Sequence, residues 1–102
     1  MKIAVASDKS DINGDVSMHG ARAAFYLVFD DAGKLDRTLE NPFASIERGA
    51  GPRVADFLAD SDVDEVVAGD FGSRFEVHLE DLGIKTRRNT GNISDVVKQL
   101  TE

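Results

Sequence analysis

No cysteine occurs among the 102 residues, which excludes disulfides, thiolate catalysis and zinc sites of the CxxC type. No apolar run approaches the roughly 20 residues that cross a bilayer. The opening "MKIAVAS" is too short an apolar stretch for a secretory leader, so a cytoplasmic location is the expectation. Internal repeats, low-complexity segments and linkers are also missing, and one domain over 1–102 is expected. Positive charge is in deficit. The net charge of −7 disfavours a general nucleic-acid binder, because a polyanion is repelled at long range. What is present is an ordinary globular balance, with 41% apolar and 30% charged residues, on a chain long enough for one core.

The order of elements can be read from hydrophobic pattern. "KIAVAS" (2–7) lacks helical spacing and reads as a strand covered on both faces. Residues 8–18 are polar, contain Asn13-Gly14 and read as a loop. "AFYLVFD" (24–30) suits a central strand, "DDAGK" supplies a hairpin turn around Gly33, and "LDRTLEN" (35–41) alternates charges as a protected edge strand does. "GAGP" (49–52) then opens a helix with Pro52 in its first turn and Val54, Phe57 and Leu58 on one face. "VDEVVAG" (63–69) is a further buried strand, and "GDFG" (69–72) turns the chain into a second helix. There Ser73 and Glu76 have capping-box spacing, and Phe75, His78, Leu79 and Leu82 form an inward stripe ended by Gly83. "IKT" (84–86) makes a short last strand, and "NISDVVKQL" (92–100) a last helix, capped by Asn92 or Ser94, with Ile93, Val96, Val97 and Leu100 inward. The order β-β-β-α-β-α-β-α predicts an α/β domain with a mixed five-stranded sheet and helices on its faces.

Ligands of open α/β sheets sit beyond the carboxyl ends of strands, where turns lead into helix N-termini. Three segments can meet there: the 7–19 loop, "GAGP" and "GDFG". Two helix starts aim free amides at the space between them, which favours an anion. Arg22, Arg48, Arg53 and Arg74 lie close to glycines or helix starts, either as anion ligands or as solvated surface charges. His19, at the mouth of the second strand, is either a metal or anion ligand or a plain loop histidine. His78 lies on an apolar stripe and reads as a satisfied residue at the core edge. Asp8 and Asp70 follow strands that can be neighbours, so a Mg²⁺-dependent nuclease or phosphatase is an alternative, with Asp11 or Asp15 as the needed third acid. Strand-end acids are more often turn residues and caps. No Ser-His-Asp order, P-loop or nucleophile elbow is present.

The chain resembles the dinitrogenase iron-molybdenum cofactor biosynthesis family, which comprises nitrogenase cofactor carriers and orange-protein-like molybdenum-copper cluster binders. The resemblance spans nearly the whole length. It rests on "MKIAVAS", on "VSMHGARAAFYLVFD", similar to the pattern V-S-x-H-F-G-R-A-x-x-F, and on "ENP", "GAGP", "VDEVVAGDFG" and "LGIK" in family order. It implies a ribonuclease-H-like three-layer sandwich. It also implies a non-enzymatic carrier of an anionic molybdenum-containing metal-sulfur cluster, either a molybdenum-copper sulfide or an iron-molybdenum cofactor precursor, with protein partners in cluster delivery. Carried over by position, the implied binding residues are Ser17, His19, Gly20, Ala21, Arg22, Gly49, Gly51, Gly69, Asp70, Phe71 and Gly72, with His19 also the metal contact. A ligand-free interaction module on the same fold is a further alternative. Two positions depart from the pattern: Gly20 and Ala21 stand where the family has Phe and Gly, and Phe75 stands where it has a small residue. The expectation is that Phe75 fills the space of the aromatic missing at Gly20.

Overall fold

A computed structural model describes residues 1–101. The elements are β1 (Ile3–Ser7), β2 (Phe25–Phe29), β3 (Leu35–Glu40), α1 (Ala50–Asp60), β4 (Glu65–Ala68), α2 (Ser73–Asp81), β5 (Lys85–Arg88) and α3 (Ile93–Thr101). They follow the order read from the sequence. The sheet runs β3-β2-β1-β4-β5, with β1–β2 and β2–β3 antiparallel and β1–β4 and β4–β5 parallel. The central strand β1 is buried at all five positions, as its unbroken apolar run requires.

Side chains alternate across the sheet and feed two cores. On one side Ala4, Ala6, Tyr26, Val28, Val66 and Ala68 meet α1 and α2, through Val54, Leu58, Phe75 and Leu79. On the other, Val5, Leu27, Phe29 and Val67 meet α3 through Ile93, Val96 and Val97. The result is the three-layer ribonuclease-H-like sandwich. Among the described residues no helix is long and apolar enough to cross a membrane.

Both edge strands carry charge along their length, which discourages pairing with another sheet. On β3 every residue but Leu39 is exposed, and Asp36 pairs with Lys2 at 3.3 Å.

Three local expectations need correction. Leu82 lies past the end of α2 and is 42% exposed, so the inward stripe stops at Leu79. The last strand starts at Lys85 and runs to Arg88, with Ile84 buried just before it. The Ser73–Glu76 capping box does not form, because Ser73 is already helical and the N-cap is Gly72. At α3 the choice between two caps falls to Asn92, whose side chain accepts the Asp95 N–H at 3.2 Å, while Ser94 donates to the Ile12 carbonyl at 3.2 Å. His78 is satisfied at the core edge, 2.9 Å from Asp56 of α1.

Candidate functional site

The loop after β1 returns across the ends of the two parallel strands. The Ser17 N–H donates to the Ala6 carbonyl, and the Gly69 N–H donates to the Ser17 carbonyl, both at 2.8 Å. The buried Ser17 hydroxyl donates to Asp8 at 2.9 Å and accepts the His19 N–H at 3.0 Å. Ser17 and Gly69 therefore support the loop from below and do not form its outer wall.

The next turn is held by groups that the sequence reading did not single out. The buried Tyr26 hydroxyl donates to the Gly20 carbonyl. Burial pushes the phenol's pKa upward, so it stays a neutral donor. The buried Asn41 amide donates to the carbonyls of Ala21 and Ala23, both at 2.9 Å, and its oxygen accepts the Phe43 N–H at 2.9 Å. A trans peptide points its C=O and N–H in opposite directions. With the carbonyls of residues 20 and 21 turned to the interior, the N–H groups of Ala21 and Arg22 are turned outward. Among the described residues neither has a backbone partner.

These amides border a groove of about 220 Å³ lined by Met18, His19, Gly20, Ala21, Arg22, Asp70, Phe71 and Gly72. It adjoins a second hollow of about 320 Å³ that shares Ala21, Arg22, Phe71 and Gly72 with it and reaches Gly49, Gly51 and Pro52 at the start of α1 and Ser73 and Arg74 at the start of α2. Both helices begin on a glycine at positive φ, Gly49 at 74° and Gly72 at 73°, and neither has a side-chain cap. An L side chain in that conformation is strained, and none is there to occupy the first amides. Both helix starts thus present unfilled N–H groups and the positive ends of their dipoles to the same hollow.

Close packing sets the floor. A Cβ on Gly20 would stand 2.7 Å from the Asp70 carbonyl oxygen, 3.1 Å from Phe71 Cα and 3.2 Å from Phe75 Cδ2. The Phe75 ring therefore takes the space beneath Gly20, as the paired departures from the family pattern led us to expect. A Cβ on Gly51 would lie 3.1 Å from Phe75 N, so this glycine lets α1 and α2 start side by side.

The charged residues divide their roles. Arg22 borders the groove, but its guanidinium donates to the Ile46 carbonyl at 2.6 Å and reaches those of Ala44 and Glu47 at 3.4 Å, so it also anchors the 44–47 segment. His19 is exposed on the wall. Asp70 is exposed and 3.7 Å from Arg88 Nε. Asp8 is engaged by Ser17, and no three His, Asp or Glu side chains gather as a metal site among the described residues. The carboxylate cluster needed for Mg²⁺-dependent hydrolysis is therefore not assembled among the described residues, and His19 belongs to no group of three such residues.

Arg88 was also missed. It forms a bidentate pair with Glu76 at 2.9 and 3.0 Å and stands 5.4 Å over the Phe71 ring, tying the 70–72 turn and α2 to β5. Hydrogen bonds from Arg88 hold the Glu76 carboxyl below the ordinary glutamate range, with Arg88's charge and the Thr86 hydroxyl adding to the effect. A lowered folded-state pKa means the tie is present above the ordinary glutamate pKa and is lost as pH falls through the folded value. Acidification below the usual carboxylate range is expected to loosen the 70–72 turn ahead of global unfolding. Amide exchange at Phe71 and Gly72 across pH 7 to 3 would show it, and Glu76→Gln should abolish the pH response.

Taken together, these features define a class: small α/β domains in which one turn and two helix starts border a shared groove. The chain belongs to the dinitrogenase iron-molybdenum cofactor family, whose model matches residues 1–102. Its fold is similar to that of the apo form of the orange protein from Desulfovibrio gigas, with a TM-score of 0.90, 25% identity, and coverage of 97% of this chain and 85% of that one. It is also similar to a putative NifB protein from Thermotoga, with a TM-score of 0.81, 25% identity, and coverage of 98% and 86%. None of the curated proteins compared with it matches. Membership assigns the chain a cofactor-related binding or carrier role.

Proposed function

We propose that this protein is a non-enzymatic carrier of an anionic, molybdenum-containing metal-sulfur cluster, of the molybdenum-copper sulfide or iron-molybdenum cofactor precursor type. The cluster is cargo, received from and passed to other proteins. The observation that carries this reading is the convergence of outward N–H groups at Ala21 and Arg22 with two uncapped helix starts on one groove. Sulfides of a thiometallate accept N–H hydrogen bonds, and such amide arrays bind anions on other folds. No cysteine is needed, and a chain with net charge −7 gains local attraction from dipoles that its overall charge does not supply. Gly49 and Gly72, where a Cβ would meet nothing within 4 Å, keep side chains out of the space, while His19 stands where it can hydrogen-bond a sulfide or meet the metal.

Apo-protein titrated without oxygen with tetrathiomolybdate and then Cu(I), and desalted, is expected to keep a coloured species of fixed metal stoichiometry. His19→Ala, a change at an exposed position, should leave the fold intact and weaken retention by roughly tenfold or more. Colour that washes from the unaltered protein would remove the molybdenum-copper reading. Retention unchanged in His19→Ala would remove His19 from the site.

A further inference from the structure

The arginines of this acidic chain fall into two groups. Arg22, Arg37, Arg87 and Arg88 are each held by a carbonyl or carboxylate of the fold. Arg48, Arg53 and Arg74 are exposed and have no such partner among the described residues. Arg48 directly precedes the N-cap Gly49, and Arg53 and Arg74 lie in the first turns of α1 and α2. A cation there opposes the helix dipole, so the fold gains no stability from this placement. Arg74 borders the hollow between the helix starts, but Arg53 lines a separate hollow of about 260 Å³ with Pro42, Phe43 and Phe57. On the α2 side of Arg53, Pro52, Arg74 and Val77 border a hollow of about 310 Å³, and Val77 is 57% exposed. Asp56 and His78, 2.9 Å apart, join these two hollows across the helices. Pro52, Ser73 and Arg74 also line the hollow between the helix starts, so the apolar surface runs up to the mouth of the groove.

We propose that this outer face of α1 and α2 docks a protein that exchanges cargo with the chain. The partner's matching surface is acidic, with carboxylates set around an apolar side chain. Arginines among half-exposed aromatic and apolar side chains are the composition of protein interfaces, and arginine dominates their binding energy. The guanidinium fork also suits carboxylates, which it binds through two parallel hydrogen bonds. An inorganic anion gains nothing from the surfaces of Val77, Pro42 and Phe43, whereas a protein buries them. A nucleic acid is repelled by the net charge of −7. Glu47 lies beside Arg48, and Asp56 and Asp60 lie further along α1. Positive charge therefore predominates at the groove end of the face, which draws the partner's carboxylates over the groove mouth. The purpose, cargo exchange, rests on the carrier reading; the docking surface itself does not.

The probe is a synthetic peptide with glutamates on both sides of a central leucine-phenylalanine pair, added to the full ¹⁵N-labelled chain. The amide signals of Arg53, Arg74 and Val77 are expected to move along one saturation curve. Raising salt from about 0.05 to about 0.3 M should weaken binding roughly tenfold, and a peptide with lysines for glutamates should not bind. Arg48→Glu combined with Arg53→Glu, and separately Val77→Ser, should each weaken binding roughly fivefold or more. Both variants should take up tetrathiomolybdate as the unaltered protein does. The charge reversal should also melt no lower, because an acid suits a helix start, which separates lost docking from lost folding. Several results would overturn the proposal and leave the carrier reading intact: no saturable shift, shifts centred instead on Lys9, Lys34 and Lys98, or an affinity unmoved by either variant. Equal binding when serines replace the apolar pair, or tighter binding of an RNA oligonucleotide, would overturn it too. Peptide binding at this face by a protein that takes up no tetrathiomolybdate would sustain the docking surface and defeat the carrier reading instead.

Discussion

Phe75→Ala is expected to destabilise the domain by about 3–5 kcal/mol, the usual cost of emptying a buried aromatic site. Phe75 is 2% exposed, stacks on Phe71 with ring centroids 5.8 Å apart, and lies beneath Gly20 and against Gly51. Few single substitutions remove so many supports at once, and a domain of this size has only about 5–15 kcal/mol in total. At roughly 4–8 °C per kcal/mol, the melting temperature should fall by well over ten degrees. Adding Gly20→Phe, which restores the family's aromatic, is expected to recover only part of the loss. The Phe75 clash would be relieved, but the new Cβ would still stand 2.7 Å from the Asp70 carbonyl, and a backbone atom does not yield cheaply. Denaturant unfolding of the single and double variants measures both effects.

Asn41→Ala is expected to cost about 2–4 kcal/mol, because it strands several buried backbone groups rather than one. The carbonyls of Ala21 and Ala23 lose their donor and the Phe43 N–H loses its acceptor. Water cannot easily replace a side chain that is 6% exposed. The functional effect should exceed the one on stability. Once the Ala21 carbonyl is released, nothing holds the following N–H outward, so ligand affinity should drop even at temperatures where the variant is fully folded. A variant that loses stability but binds tetrathiomolybdate normally would show that this turn does not need Asn41 for its orientation.

The fold was legible because each element has an uncomplicated local cause. The unbroken run of β1, the alternating charge of β3 and the 3.6-residue spacing in α1 and α3 each admit one reading. The position of the groove was legible too, since Gly49, Gly51, Gly72 and the 17–22 loop all converge where topology places the ends of parallel strands. What could not be read was which polar groups face each other. Ser73 and Glu76 have the right spacing for a capping box, but the N-cap falls on Gly72, and the Glu76 carboxylate pairs instead with Arg88, twelve residues beyond it. Asn41 sits in the quoted "ENP" and Tyr26 in the quoted strand, yet their partners lie across a turn whose course is a tertiary property. A lone tyrosine in an otherwise apolar strand did carry a signal, since a buried phenol must find an acceptor. Ser17 and Gly69 were expected to contact the ligand. In the structure they hold the loop beneath the groove, and a pattern of letters does not separate a residue that lines a groove from one that positions its neighbour.

The most direct measurement is an oxygen-free titration of ¹⁵N-labelled protein with tetrathiomolybdate, following backbone amides. If the groove binds the anion through its N–H groups, the signals of Ala21 and Arg22 should move together with those of Ala50, Gly51, Ser73 and Arg74, along one saturation curve. Amides at those positions that stay in place while the protein takes up the anion would contradict the binding scheme proposed for this fold.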